Sequence, residues 1–184
     1  MNCNTLFSVL LVGVVALIGY RLMPPMVEAN FTLTLSKSRG NIEKINQPRE
    51  ISATETVAID RVKLNEKSRF QHKKLGPLGW SEHFFADIVS RFVVEEEGRY
   101  RFLVGSDDGF RLAIDGRVLC QYATDRPFRK QSCYQSLGAG EHTLELNYFQ
   151  GYGNAGLTLE AAKDGEQAPA YWGDDIAGIQ YITP

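Results

Sequence analysis

Hydrophobic residues recur at every second position in block after block of this chain. The stretch FTLTLS (Phe31 to Ser36) alternates apolar and polar, and TVAIDRVKL (Thr56 to Leu64) does the same. FFADIVSRFVV (Phe84 to Val94) alternates in its second half. RYRFLVGS sets Tyr100, Phe102 and Val104 on one face, and GFRLAIDG does so with Phe110, Leu112 and Ile114. GAGEHTLELNYF aligns Leu144, Leu146 and Tyr148, and GLTLEAA aligns Leu157 and Leu159. A period of two places successive side chains on opposite faces of a strand, so each block predicts a strand with one buried face. RVLCQY follows the Asp115-Gly116 pair, a strong hairpin signal, and IQYIT near the C-terminus predicts an edge strand. Residues 37–55 read as polar loop apart from Ile42, Ile45 and Ile51, GPLGW as punctuation, and EEEG as a solvated turn. No helical period of useful length follows residue 29. Many short strands with regular turns predict an all-β sandwich or barrel.

The first segment breaks this pattern. LFSVLLVGVVALIGY (Leu6 to Tyr20) is apolar and uncharged, and Arg21 and Pro24-Pro25 end it. A spanning helix needs about 20 apolar residues. Two readings compete: an uncleaved membrane anchor, or a signal peptide with Val27-Glu28-Ala29 as a small-x-small cleavage site. The leader MNCNT lacks the Lys or Arg of a usual signal, which favours the anchor; Arg21 on the far flank fits an exported C-terminus poorly. Either way residues 1–29 form an anchor or signal segment, and residues 30–184 a domain outside the cytoplasm. The cysteines agree with export. Cys120 and Cys133 bracket the polar stretch QYATDRPFRKQS, and a disulfide between them would stabilise by roughly 3 kcal/mol in the chain-entropy model. Such bonds persist in oxidising compartments; the alternative is two free, partly buried thiols.

Composition narrows the function. The 184 residues are 43% hydrophobic and 23% charged, with net charge −2 and 17 glycines, which is globular composition. The one short basic run is His72 to Lys74, so no nucleic-acid partner is expected. His72, His83 and His142 have no zinc-ligand spacing. Neither a nucleophile elbow nor a phosphate loop is present, so the expectation is a non-enzyme. Trp80 and Trp172 read as packing residues, and Asp174-Asp175 as a surface loop. Asn30-Phe31-Thr32 is a glycosylation sequon, meaningful only in a eukaryotic secretory route.

Candidate chemistry sits at Asp107-Asp108. Two adjacent carboxylates repel, and in a regular strand they would point to opposite faces. They act either as caps of the turn between two strands or as half of a cation site.

The stretches EGRYRFLVGSDDGFRLAIDGRVL and LGAGEHTLELNYFQGYGNAGLTLE resemble the PA14 domain. The match is dense from Phe92 to Ala161 and looser over Phe31 to Arg91. The resemblance implies an antiparallel β-sandwich, here preceded by the N-terminal hydrophobic membrane helix. For the carbohydrate-binding subset of that family it implies a cis peptide between Asp107 and Asp108, one Ca²⁺ gripped by both, and a sugar's vicinal hydroxyls completing the shell. Gln150 falls where that subset has its third side-chain ligand, and carbonyls near Gly151 and Gly153 join it. Asn154 is a rival amide, and Tyr152 a residue to stack on a sugar or line its site. The large insertions of the yeast relatives are absent, leaving Gln121 to Ser132, with Arg126, Arg129 and Lys130, as the candidate rim. Two functions follow. One is a Ca²⁺-dependent glycan-binding, adhesin-like module at the cell envelope. The other is a non-catalytic assembly subunit using the domain for contacts with envelope proteins.

Overall fold

Each alternating block becomes a strand of one of two antiparallel sheets whose apolar faces meet. The computed structural model describes residues 3–22, 27–165 and 168–183. The larger sheet has seven strands. Six of them lie in the order β2 (Ile51–Ile59), β1 (Phe31–Ser38), β6 (Phe84–Val94), β11 (Gly140–Gln150), β8 (Phe110–Ile114) and β9 (Arg117–Tyr122). The seventh, β14 (Ile179–Ile182), pairs with the end of β6 at Arg91 to Val94. The five-stranded sheet runs β10 (Arg129–Leu137), β7 (Gly98–Asp107), β12 (Gly156–Lys163) and β13 (Ala170–Tyr171), with β3 (Lys63–Leu64) on β12. A two-residue pair, β4 (Gln71–His72) and β5 (Gly76–Pro77), lies outside both.

The residues that the period of two aligned all point inward. Tyr100, Phe102, Val104, Phe110, Leu112, Leu144, Leu146, Tyr148, Leu157 and Leu159 are fully buried between the sheets. Trp172 joins them, edge-on to Phe92 at 5.0 Å and to Tyr181 at 5.1 Å. Its indole N–H donates to Ser90 Oγ at 3.1 Å.

Three differences from the sequence reading arise where the chain changes sheets or runs along a sheet edge. TVAIDRVKL is not one strand: β2 ends at Ile59, and Lys63–Leu64 joins the other sheet. Between them Asp60 is buried and accepts from His72 Nε2 at 2.8 Å and Lys74 Nζ at 2.9 Å, which is what the short basic run does. Strand β2 begins at Ile51, inside the expected loop, and β10 begins at Arg129, inside the expected rim. Both are edge strands, exposed along most of their length, so neither needs an apolar face.

A second, smaller core forms on the outer face of the larger sheet. Ile42 and Ile45 pack there against Phe85 and Phe149, with Arg49 over the Phe85 ring at 4.2 Å and paired to Asp87. This fastens the 39–50 loop beside the ends of β6 and β11. Asn30 of the sequon donates its side-chain amide to the Asp60 carbonyl at 2.9 Å.

The N-terminal segment is a helix, α1 (Cys3–Leu22), with Leu10, Leu11, Val12 and Val15 exposed. Among the described residues no helix is long and apolar enough to cross a membrane. The expected anchor or signal segment is thus a helix of 20 residues. Pro24 and Pro25 lie outside the described residues.

The Asp115-Gly116 hairpin is tied to β11 by His142. Its Nδ1 meets Asp115 Oδ2 at 2.7 Å and its Nε2 meets the Gly138 carbonyl at 2.9 Å. Both ring nitrogens face acceptors, an arrangement only the imidazolium satisfies with two donors. Burial, the largest single influence, works against the charge, but the hydrogen bonds to Asp115 and the Gly138 carbonyl and the Asp115 charge together outweigh it and raise the His142 pKa above 6.5. Its contribution is therefore complete below that ordinary value and lost as pH rises through the raised one. Urea denaturation of wild type and His142→Gln should differ by on the order of 0.5 kcal/mol at pH 5.5, and by less at pH 8.5. A gap that widens toward pH 8.5 contradicts the tie.

Candidate cation and ligand site

Strand β7 ends at Asp107, and the peptide bond to Asp108 is cis. Gly109 follows because nothing larger fits. A Cβ there would stand 2.5 Å from the Phe149 ring and 2.7 Å from the Tyr122 carbonyl oxygen. Both carboxylates are buried, with Asp107 8% and Asp108 5% exposed.

Backbone donors from two loops hold the pair. The Phe128 N–H donates to Asp107 Oδ2 at 3.0 Å, and the Arg126 N–H reaches Asp108 Oδ1 at 3.4 Å. From the glycine loop the Gly151 N–H donates to Asp108 Oδ2 at 2.7 Å. Neither carboxylate has a salt-bridge partner among the described residues. The Arg126 guanidinium favours ionised Asp107 from beyond ion-pair distance, but its contacts are to Ser106 Oγ at 2.8 Å and over the Tyr122 ring at 4.4 Å, and its Nε has no partner among the described residues. Burial raises the pKa of both acids above 3.8; for Asp108 the charges of Asp107 and Asp125 add to it. Two buried acids with no cation in contact are costly as carboxylates, and an added cation is what such a site lacks.

Behind the pair lies a single hydroxyl shared by two acceptors. Tyr148 Oη contacts the Asp107 carbonyl and lies 2.6 Å from Gln150 Oε1. A phenol has one proton to give, so Tyr148 can donate to only one of those two oxygens at a time. The Gln150 amide nitrogen donates to the Asn154 carbonyl at 2.8 Å, closing the 150–154 loop.

In front of Asp108 opens a cavity of about 470 Å³. Asn41 and Lys44 form one wall, Asp125 another, and Gly151 and Tyr152 a third; His83 completes it. Of the expected site residues, Asp108, Gly151 and Tyr152 line this one cavity. Asp107 and Gln150 sit behind it, Gln150 fully buried. Gly153 faces a neighbouring cavity, and Asn154 contributes its backbone carbonyl to Gln150. The Gly151 carbonyl accepts the His83 N–H at 2.9 Å. Cys120 and Cys133 form a disulfide linking β9 to β10, the adjoining edges of the two sheets. The expected rim loop thus reaches the site, though chiefly through its backbone.

Sequence reasoning missed the 41–44 wall and His83. One signal was present for the first. Phe84-Phe85 and Tyr148-Phe149 are consecutive aromatics that violate a period of two, as happens where both faces of a sheet are covered. For His83 the sequence carries no signal.

The PA14 domain model matches residues 50–175, and the chain belongs to that family. Among curated proteins none matches in sequence. Solved structures share the fold at low identity. The PA14 sugar-binding domain from an RTX adhesin is 18% identical, with TM-score 0.61, covering 80% of this chain and 96% of that one. The PA14 domain of the MpAFP antifreeze protein is 13% identical, with TM-score 0.58 and coverage of 82% and 90%. The epithelial adhesin 9 A domain from Candida glabrata, solved with Galβ1-4GlcNAc, is 11% identical, with TM-score 0.60 and coverage of 83% and 89%.

Proposed function

We propose that this chain is an exported, non-catalytic carbohydrate-binding module whose site takes a divalent cation, Ca²⁺ by its donor chemistry. One observation carries the reading: a buried, adjacent carboxylate pair without an ion-pair partner among the described residues, of which Asp108 lines a cavity of ligand size and Asp107 lies behind it. Hard oxygen donors suit Ca²⁺, and the site offers no thiolate or imidazole set for a softer metal. Asp107 and Asp108 are the residues that would hold the ion, with the Gln150 amide oxygen and carbonyls at Gly151 and Gly153 as the further donors. A bound Ca²⁺ would supply coordination positions for two hydroxyls of a sugar. The glycan partner is supported by the company the fold keeps, a domain described as sugar-binding and an adhesin in complex with a disaccharide. Export is supported by the disulfide, a bond that reducing compartments do not sustain.

The test is calorimetric titration of Ca²⁺ into the EDTA-stripped full chain, followed by a glycan array with Ca²⁺ and with EDTA. One-site binding and glycan retention that EDTA abolishes are the expected results. No heat, together with an unchanged melting temperature, would make the pair a structural turn and favour the assembly role with envelope proteins.

A further inference from the structure

A second cavity, of about 450 Å³, opens beside the same glycine loop. Gly151 and Tyr152 line the Asp108 cavity, and Gly153 lines this one. Phe70, Leu78 and Trp80 give it an apolar wall, and Arg69 and Ser81 its polar groups. Trp80 is half-buried and braced by Phe84, with ring centroids 6.5 Å apart. Its indole N–H has no hydrogen-bond partner among the described residues. The exposed Arg69 guanidinium likewise has no hydrogen-bond or ion-pair partner among them. An aromatic wall edged with unengaged donors is complementary to a pyranose, which has an apolar C–H face and a rim of hydroxyls.

The two cavities are also connected through the core. Phe70 stacks on Tyr148 at 5.3 Å with the rings 16° apart. The Tyr148 hydroxyl reaches the Asp107 carbonyl and Gln150. A ligand resting on Phe70 and Trp80 would therefore lie against the framework that supports the carboxylate pair. We infer that this cavity is a second saccharide subsite, taking a further pyranose of the glycan whose first residue sits at Asp108. The inference rests on the carbohydrate-binding reading above.

The test uses the full chain in Ca²⁺. The tightest oligosaccharide on a glycan array, and the monosaccharide at its terminus, are titrated into wild type, Trp80→Ala, Trp80→Phe and Arg69→Ala. Wild type should bind the oligosaccharide at least about tenfold more tightly than the monosaccharide. Trp80→Ala and Arg69→Ala should each remove most of that gain and leave monosaccharide affinity unchanged, while Trp80→Phe keeps part of it. Should Trp80→Ala fail to fold, the exposed Arg69→Ala carries the test. Equal affinities of wild type for the two ligands, or a gain that survives both alanine variants, overturns the second subsite and leaves the first intact. An array without any bound glycan overturns both. Asp108→Ala, losing both ligands together, separates failure at the first site from failure at the second.

Discussion

Asp108→Ala should abolish glycan retention while the domain remains folded. Asp108 accepts from Gly151 and Arg126, so alanine leaves two backbone donors without their acceptor, at a cost of about 1–3 kcal/mol. Against a total stability of about 5–15 kcal/mol this weakens the fold without dissolving it. Loss of function should be more complete, since the residue removed is one of the two carboxylates that would hold the proposed ion. The gentler double change Asp107→Asn/Asp108→Asn retains acceptor oxygens and should lower Ca²⁺ affinity by at least about a hundredfold. Retention on the glycan by either variant in EDTA would sink the cation model.

The same pair predicts opposite pH slopes with and without the ion. Without it, both folded-state pKa values are raised above 3.8 by burial. The folded state then binds protons more tightly than the unfolded one, so protonation stabilises. In EDTA, wild type should gain stability relative to the double-Asn variant as pH falls from the raised values toward 3.8. In Ca²⁺ the trend should reverse, because protons displace the ion over that same window. Parallel melting profiles for wild type and variant in both media would contradict this.

Trp172→Ala should cost about 3–5 kcal/mol, the largest stability effect expected of a single substitution here. Its side chain is fully buried, and its ring touches Phe92, Phe102 and Tyr181. Its backbone donates to Leu159 and accepts from Val62, bonding in both directions. Removing the ring opens a cavity bordered by both sheets, and leaves Ser90 Oγ without its indole donor. Equilibrium denaturation should show the midpoint fall with little change in slope. A loss under about 1 kcal/mol would mean that the neighbouring rings collapse into the space.

Strand alternation carried most of the fold, because inward residues such as Tyr100, Phe102 and Val104 obey a period of two wherever one face is wet. It failed at β2 and β10, edge strands with polar residues on both sides. It failed again at Asp60, where the chain changes sheets without an apolar signature. At the site, the residues of one short motif and one glycine loop were legible because their spacing along the chain is local. The 41–44 wall was not: it is held by Ile42 and Ile45 against Phe85 and Phe149, contacts between segments far apart in the chain. Gln150 was named only through the family resemblance, and its burial and its contact with the Tyr148 hydroxyl belong to three dimensions alone.

The Cys120–Cys133 bridge spans the loop whose Arg126 and Phe128 amides hold the acidic pair. A chain still in a reducing cytosol lacks that closure, and its loop is free to leave the carboxylates unsupported. Oxidation and assembly of the site thus become one event. On the function proposed above, reduction of this one bond should weaken both ion and glycan binding, so that activity as a binder would follow oxidation of the chain.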